Sequence, residues 1–102
     1  MMLLALVLVA APCTADDAKK AAAAHAQVRE FCAASKNGCH FEARAPSPLN
    51  ENERELAWVV TANKIHSFDE KKQPRFMPEG AIFAHVGGAC SVTRIIGHHL
   101  PR

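Results

Sequence analysis

Gly87-Gly88 lies between two β-prone runs, Pro78–Val86 and Ala89–Gly97, and this stretch restricts the fold more than any other part of the chain. A Gly-Gly pair in that setting predicts a two-residue hairpin turn, because both turn positions need φ > 0. The register that follows sets Val86 opposite Ala89, His85 opposite Cys90, Ala84 opposite Ser91 and Phe83 opposite Val92. One face then collects Ile82, Ala84, Val86, Ala89, Ser91, Thr93 and Ile95; the other collects Phe83, His85, Cys90, Val92, Arg94 and Ile96. Neither face is cleanly polar, so both call for cover. An isolated hairpin is marginal in water, and the rest of the chain has to supply that cover.

The chain has 102 residues, enough for one small domain. Met1–Ala11 is apolar and small, Pro12, Cys13, Thr14 and Ala15 follow, and charges begin at Asp16-Asp17. An apolar core, a small-residue cleavage site and an acidic start read as a secretory signal over 1–15, cut after Ala15. The run is too short for a transmembrane helix, which takes about 20 apolar residues. Two alternatives stand beside cleavage: a lipoprotein signal ending at Cys13, and an uncleaved apolar helix. The expected organisation is therefore a signal over 1–15, one domain over 16–97 and a flexible tail over 98–102. The expected location is periplasmic or secreted, with membrane association only if Cys13 carries a lipid.

Export bears on the cysteines, because exported thiols meet an oxidising compartment. With Cys13 assigned to the leader, Cys32, Cys39 and Cys90 remain. Cys32 and Cys39 bracket A-A-S-K-N-G, and Asn37-Gly38 can turn the chain back. A Cys32–Cys39 disulfide is the preferred pairing, stabilising by about 2.5 kcal/mol on the chain-entropy estimate. A long bridge from Cys90 to either residue is the rival. A staple suits this chain: it is 49% hydrophobic, but much of that is Ala, which buries little area.

Asp16 to about Ser35 reads as a helix, with Asp16 and Asp17 at its positive end and an apolar stripe of Ala21, Ala24, Val28, Phe31 and Cys32. The stripe is shallow before Val28, so the first two turns are expected to project. Pro46 and Pro48 exclude helix from Cys39–Leu49. Asn50 with Glu53 resembles a capping box and predicts a second helix, Glu51 to about Asn63, against a competing strand at Trp58-Val59-Val60-Thr61. Ile65 and Phe68 are expected to turn back onto the core, and Ser67–Gly80 reads as a charged loop whose end Phe76 and Met77 anchor. The resulting fold class is α+β: two helices packed on a C-terminal β-hairpin or small antiparallel sheet, disulfide-stapled.

The chemistry-bearing residues give no motif. There is no H-E-x-x-H, C-x-x-C, G-x-S-x-G or Gly-rich phosphate loop. No catalytic residue and no cofactor is assigned, and the balance leans against an enzyme. A net charge of +2 does not mark a nucleic-acid binder. His85 facing Cys90 is a candidate metal-ligand pair, or a thiol–imidazole pair for a thiol-dependent enzyme. The leading function is a small exported binding module, an inhibitor or immunity-type protein acting on a protein partner in the cell envelope or extracellular space. The alternative is a periplasmic metal binder. The candidate contact residues are Lys71, Lys72, Arg75 and Phe76, because loops on a rigid scaffold carry binding.

Overall fold

The computed structural model describes residues 12–97. Two helices, α1 (Ala15–Ala24) and α2 (Ala26–Ala33), lead into β1 (Cys39–Arg44). A single 3-10 turn at Glu51–Glu53 precedes β2 (Leu56–Phe68), β3 (Pro74–Gly87) and β4 (Val92–Gly97). The strands form one antiparallel meander in the order β1-β2-β3-β4, and the helices pack on one of its faces. The architecture is α+β in the coarse sense, with the sheet the larger part.

Thr14 starts α1, its hydroxyl accepting from the Asp17 N–H at 3.1 Å. The expected single helix is broken at His25, which leaves helical geometry (ψ 134°) and caps α2 through Nδ1. That break resets the buried face. Ala18 and Ala22, not Ala21 and Ala24, are fully buried against Val60, Ala84 and Val86, so the first turns pack instead of projecting. Val28 belongs to a second cluster with Ala62 and Ile82. Small alanines let α1 approach the sheet closely, which makes a thin-looking composition sufficient.

The predicted helix over Glu51–Asn63 is not formed. Asn50 does cap, but only a single 3-10 turn, its Oδ1 accepting from the Asn52 N–H. The β-branched run from Trp58 then enters the sheet. Val60 and Ala62 face the helices while Val59 and Thr61 face the opposite side. Val59 and Val60 are both only 1% exposed, so both faces are covered there. A strand buried on both faces loses polar alternation, and its apolar run then resembles a helix stripe.

Ser67–Gly80 is also strand for most of its length, because β2 and β3 continue as a hairpin closed by Asp69–Gln73. Opposite Lys64, β3 carries the extra residues Met77–Gly80. Pro78 is tolerated in that bulge, where ladder hydrogen bonds are interrupted. A Cβ on Gly80 would meet those of Met77 and Lys64 at 3.0 and 3.2 Å, so glycine permits the close approach. Ile65 is buried, whereas Phe68 is 52% exposed and does not reach the core.

The turn between β3 and β4 is longer than Gly87-Gly88 implies. The Cys90 N–H donates to Gly87 O and the Gly87 N–H to Ser91 O, with Cys90 in the left-handed region at φ 64°. The β2–β3 turn repeats the pattern with Lys72 at φ 66°. Both are three-residue hairpin loops, a type I turn followed by a left-handed residue. The pairing shifts accordingly: Val86 faces Val92, and His85 faces Arg94.

Cys13 explains why a cysteine occupies a position that favours glycine. It forms a disulfide with Cys90, 77 residues away, while Cys32 bonds Cys39. The Cys13 carbonyl also accepts the Trp58 indole N–H at 2.8 Å. Residues 13–15 are thus built into the domain: one bridge half, a helix cap and the first helical residue. Cys13, assigned from sequence to a leader or a lipid anchor, here has its sulfur bonded to Cys90. A cut after Ala15 would sever these contacts. The remainder of the expected signal, 1–11, and the tail at 98–102 lie outside the described residues. Among the described residues, no helix is long and apolar enough to cross a membrane.

Candidate binding surface and a covered histidine

The residues singled out in sequence fall at two separate places. Lys71, Lys72, Arg75 and Phe76 lie at the end of the β2–β3 hairpin. His85 lies nearer the other end of β3, beside Val59, and Cys90 sits in the next turn. From Val59 to Phe68 is roughly 30 Å along β2 at about 3.3 Å per residue.

The hairpin end is an arm of its own. Among the described residues, β1 pairs with β2 as far as Lys64, and β4 pairs with β3 as far as Ile82. Beyond those points, among the described residues, β2 and β3 flank only each other. The segment after α2 steadies the arm's base: Ser35 Oγ donates to Ile65 O, the Ile65 N–H to Gly38 O and Asn37 Nδ2 to His66 O, each at 2.9 Å. Gly38, at φ 75°, makes the turn that allows this.

Asp69 organises the tip. Its Oδ1 accepts from the Lys71 and Gln73 N–H groups at 2.9 and 2.8 Å, an Asx-type turn. That carboxylate is committed to the backbone, whereas Lys71, Lys72 and Arg75 are exposed. Phe68 and Phe76 are 52% and 45% exposed, and Phe76 leans on His40 with ring centroids 5.6 Å apart. Phe76 therefore anchors no core; it is a surface aromatic among cations. Phe68 was not a sequence candidate, because whether it turned inward depended on the hairpin register.

The second place is the sheet face opposite the helices. The segment between β1 and β2 folds over it and is fastened by Glu53. Glu53 accepts from Arg44 Nη1 and Nη2, both at 2.9 Å, from the Ser47 N–H at 2.9 Å and from Asn50 Nδ2 at 3.3 Å. Its side chain is buried while that of Arg44 is half exposed. A cavity of about 190 Å³ remains between this segment and the sheet, lined by Arg44, Glu53, Val59, Phe83, His85 and Ile96. No sequence feature pairs Arg44 with Glu53; only the path of the covering segment does.

His85 is 4% exposed, and its ring makes no hydrogen bond to protein among the described residues. The pairing of His85 with Cys90 as metal ligands or as a thiol–imidazole pair does not survive. The hairpin register turns His85 toward Arg94, and Cys90 has no thiolate to offer because it is bonded to Cys13. Among the described residues no cysteine is free, and no group of three or more His, Cys, Asp or Glu is placed to hold a metal ion.

These groups set a pH dependence. The Arg44 hydrogen bonds, then that of the Ser47 N–H, hold Glu53 down to about 2 from an ordinary 4.5. Its contribution to stability is present above about pH 4.5 and is lost as pH falls toward about 2. Desolvation lowers His85 from 6.5, with Arg94 and Arg44 adding to the effect and Glu53 opposing it. Protonation of His85 therefore destabilises the fold as pH drops below 6.5. Thermal midpoints should fall in two stages on acidification. Glu53→Gln should remove the lower stage and His85→Phe the upper one; a single stage unaffected by either substitution would refute the assignment.

No family model, no curated protein and no solved structure matches this chain.

Proposed function

We propose that this chain is a small exported binding module, of inhibitor or immunity type, that docks on a protein partner in the cell envelope or extracellular space through the end of its β2–β3 hairpin. The observation that carries this reading is the pair of exposed aromatics, Phe68 and Phe76, set among Lys71, Lys72 and Arg75 at the end of a two-stranded hairpin. Aromatic anchors with a cationic surround are the composition of protein-binding hot spots, and the three cations of the tip outnumber its two acids, Asp69 and Glu70. The partner that fits is acidic, with apolar recesses. The two disulfides accord with an oxidising, periplasmic or secreted setting.

The test compares capture of one identified partner by the wild-type chain, by Lys71→Ala/Lys72→Ala/Arg75→Ala, by Phe68→Ala/Phe76→Ala, and by an α2 surface control, Glu30→Ala. All the substituted side chains are exposed, so each variant should keep its stability within about 1 kcal/mol of wild type. The cationic triple should slow association and blunt its salt dependence. The aromatic double should speed dissociation. Equal binding by all four proteins would place the interface elsewhere.

A further inference from the structure

The cavity over His85 is independent of the hairpin surface and lies toward the far end of β2. Its walls are Val59, Phe83 and Ile96 on the apolar side, with Arg44, Glu53 and His85 supplying the polar atoms. A buried imidazole without a protein partner is uncommon, because buried polar groups are normally satisfied. Here it borders open space instead.

The remaining hydrogen-bonding capacity decides what would enter. Glu53 is saturated by the two Arg44 nitrogens, the Ser47 N–H and Asn50 Nδ2. Arg44 spends Nη1 on Ala45 O and Glu53, and one Nη2 hydrogen on Glu53. Its Nε–H and second Nη2 hydrogen are uncommitted among the described residues. A neutral imidazole adds one donor and one acceptor. Donors therefore exceed acceptors. Desolvation and the charges of Glu53, Arg94 and Arg44 act on His85, two of those three groups being cations. The complementary guest is an anion with acceptor atoms and a compact apolar body. Size limits it further: a cavity of about 150 Å³ accommodates benzene, and this one measures about 190 Å³.

We propose that the His85 cavity binds a small monocarboxylate carrying one aromatic or branched aliphatic group, with the carboxylate toward His85 and Arg44 and the apolar group between Val59, Phe83 and Ile96. Benzoate is the probe. Titrated into the full oxidised chain, it should produce a saturable shift of the His85 ring resonances in a histidine-resolved NMR spectrum. Benzamide, its neutral isostere, should bind at least about tenfold more weakly, the loss of one charged hydrogen bond. Ile96→Trp fills the cavity and should abolish the shift while the thermal transition stays cooperative; His85→Phe should abolish binding measured by calorimetry. Backbone spectra of Ile96→Trp should show the β1–β3 resonances unchanged, which separates filling of the cavity from repacking of the outer face. Absence of a saturable His85 shift, equal affinity for benzamide, or undiminished benzoate binding by a folded Ile96→Trp protein would each overturn the proposal.

Discussion

Replacing Cys90 with Ser should lower the stability of the folded chain by about 4.5 kcal/mol, the chain-entropy value for a loop of this length. The bridge joins residues 77 apart in sequence, and it closes the domain from its first helix cap to the last hairpin turn. A small domain has only about 5–15 kcal/mol in total, so the variant should sit near the edge of folding. The thermal midpoint should fall by roughly 20–35 °C. Cys13→Ser should match it, and the double variant should be no worse than either single one, since the bond is lost once. By contrast, opening Cys32–Cys39 frees a loop of separation 7 and should cost about 2.5 kcal/mol. Differential scanning calorimetry of the variants checks the order. A Cys90→Ser midpoint within about 5 °C of wild type would show that residues 12–14 contribute little to the fold.

Trp58→Ala should be the next most damaging change, at about 3 kcal/mol. Trp58 packs against the Ala18–Ala22–Val60–Ala84–Val86 cluster and reaches across to the Cys13 carbonyl at 2.8 Å. Trp58→Phe keeps most of the packing and loses the hydrogen bond, so it should cost about 1 kcal/mol. Because Trp58 and the Cys13–Cys90 bond hold the same segment, Trp58→Phe combined with Cys90→Ser should be less damaging than the sum. The coupling should exceed about 0.5 kcal/mol. Strict additivity in denaturant unfolding would mean that the N-terminal segment docks by one of these attachments alone.

Several elements were legible because their cause is local. Asn37-Gly38 marks the stop after the helical region, and Gly38 does take the left-handed geometry that such a stop uses. The Cys32–Cys39 spacing encloses that turn, which brings the two sulfurs together. The hairpin of β3 and β4 was visible from two β-prone runs around Gly87-Gly88, but its register was not. The positive φ falls on Cys90, three residues beyond Gly87, and a partner from the start of the chain holds it there. The helix break at His25 carries no Gly or Pro to announce it.

Local preferences along the chain set its punctuation: a helical first third, turns at Asn37-Gly38 and near Gly87, a proline-barred segment at Pro46–Pro48, and exposed cations at Lys71, Lys72 and Arg75. These follow from backbone preferences and charge, which act over a few residues. Long-range packing settled the remaining features. Leu56–Phe68 became a strand because packing on both faces of Val59 and Val60 outweighed an N-terminal capping signal confined to Asn50–Glu53. His85 lost Cys90 as a neighbour because one disulfide and a longer turn shifted the pairing. Arg44 and Glu53 met because the chain between them folded back over the sheet. Long-range contacts of this kind depend on where distant segments lie in space, which no short window of residues encodes.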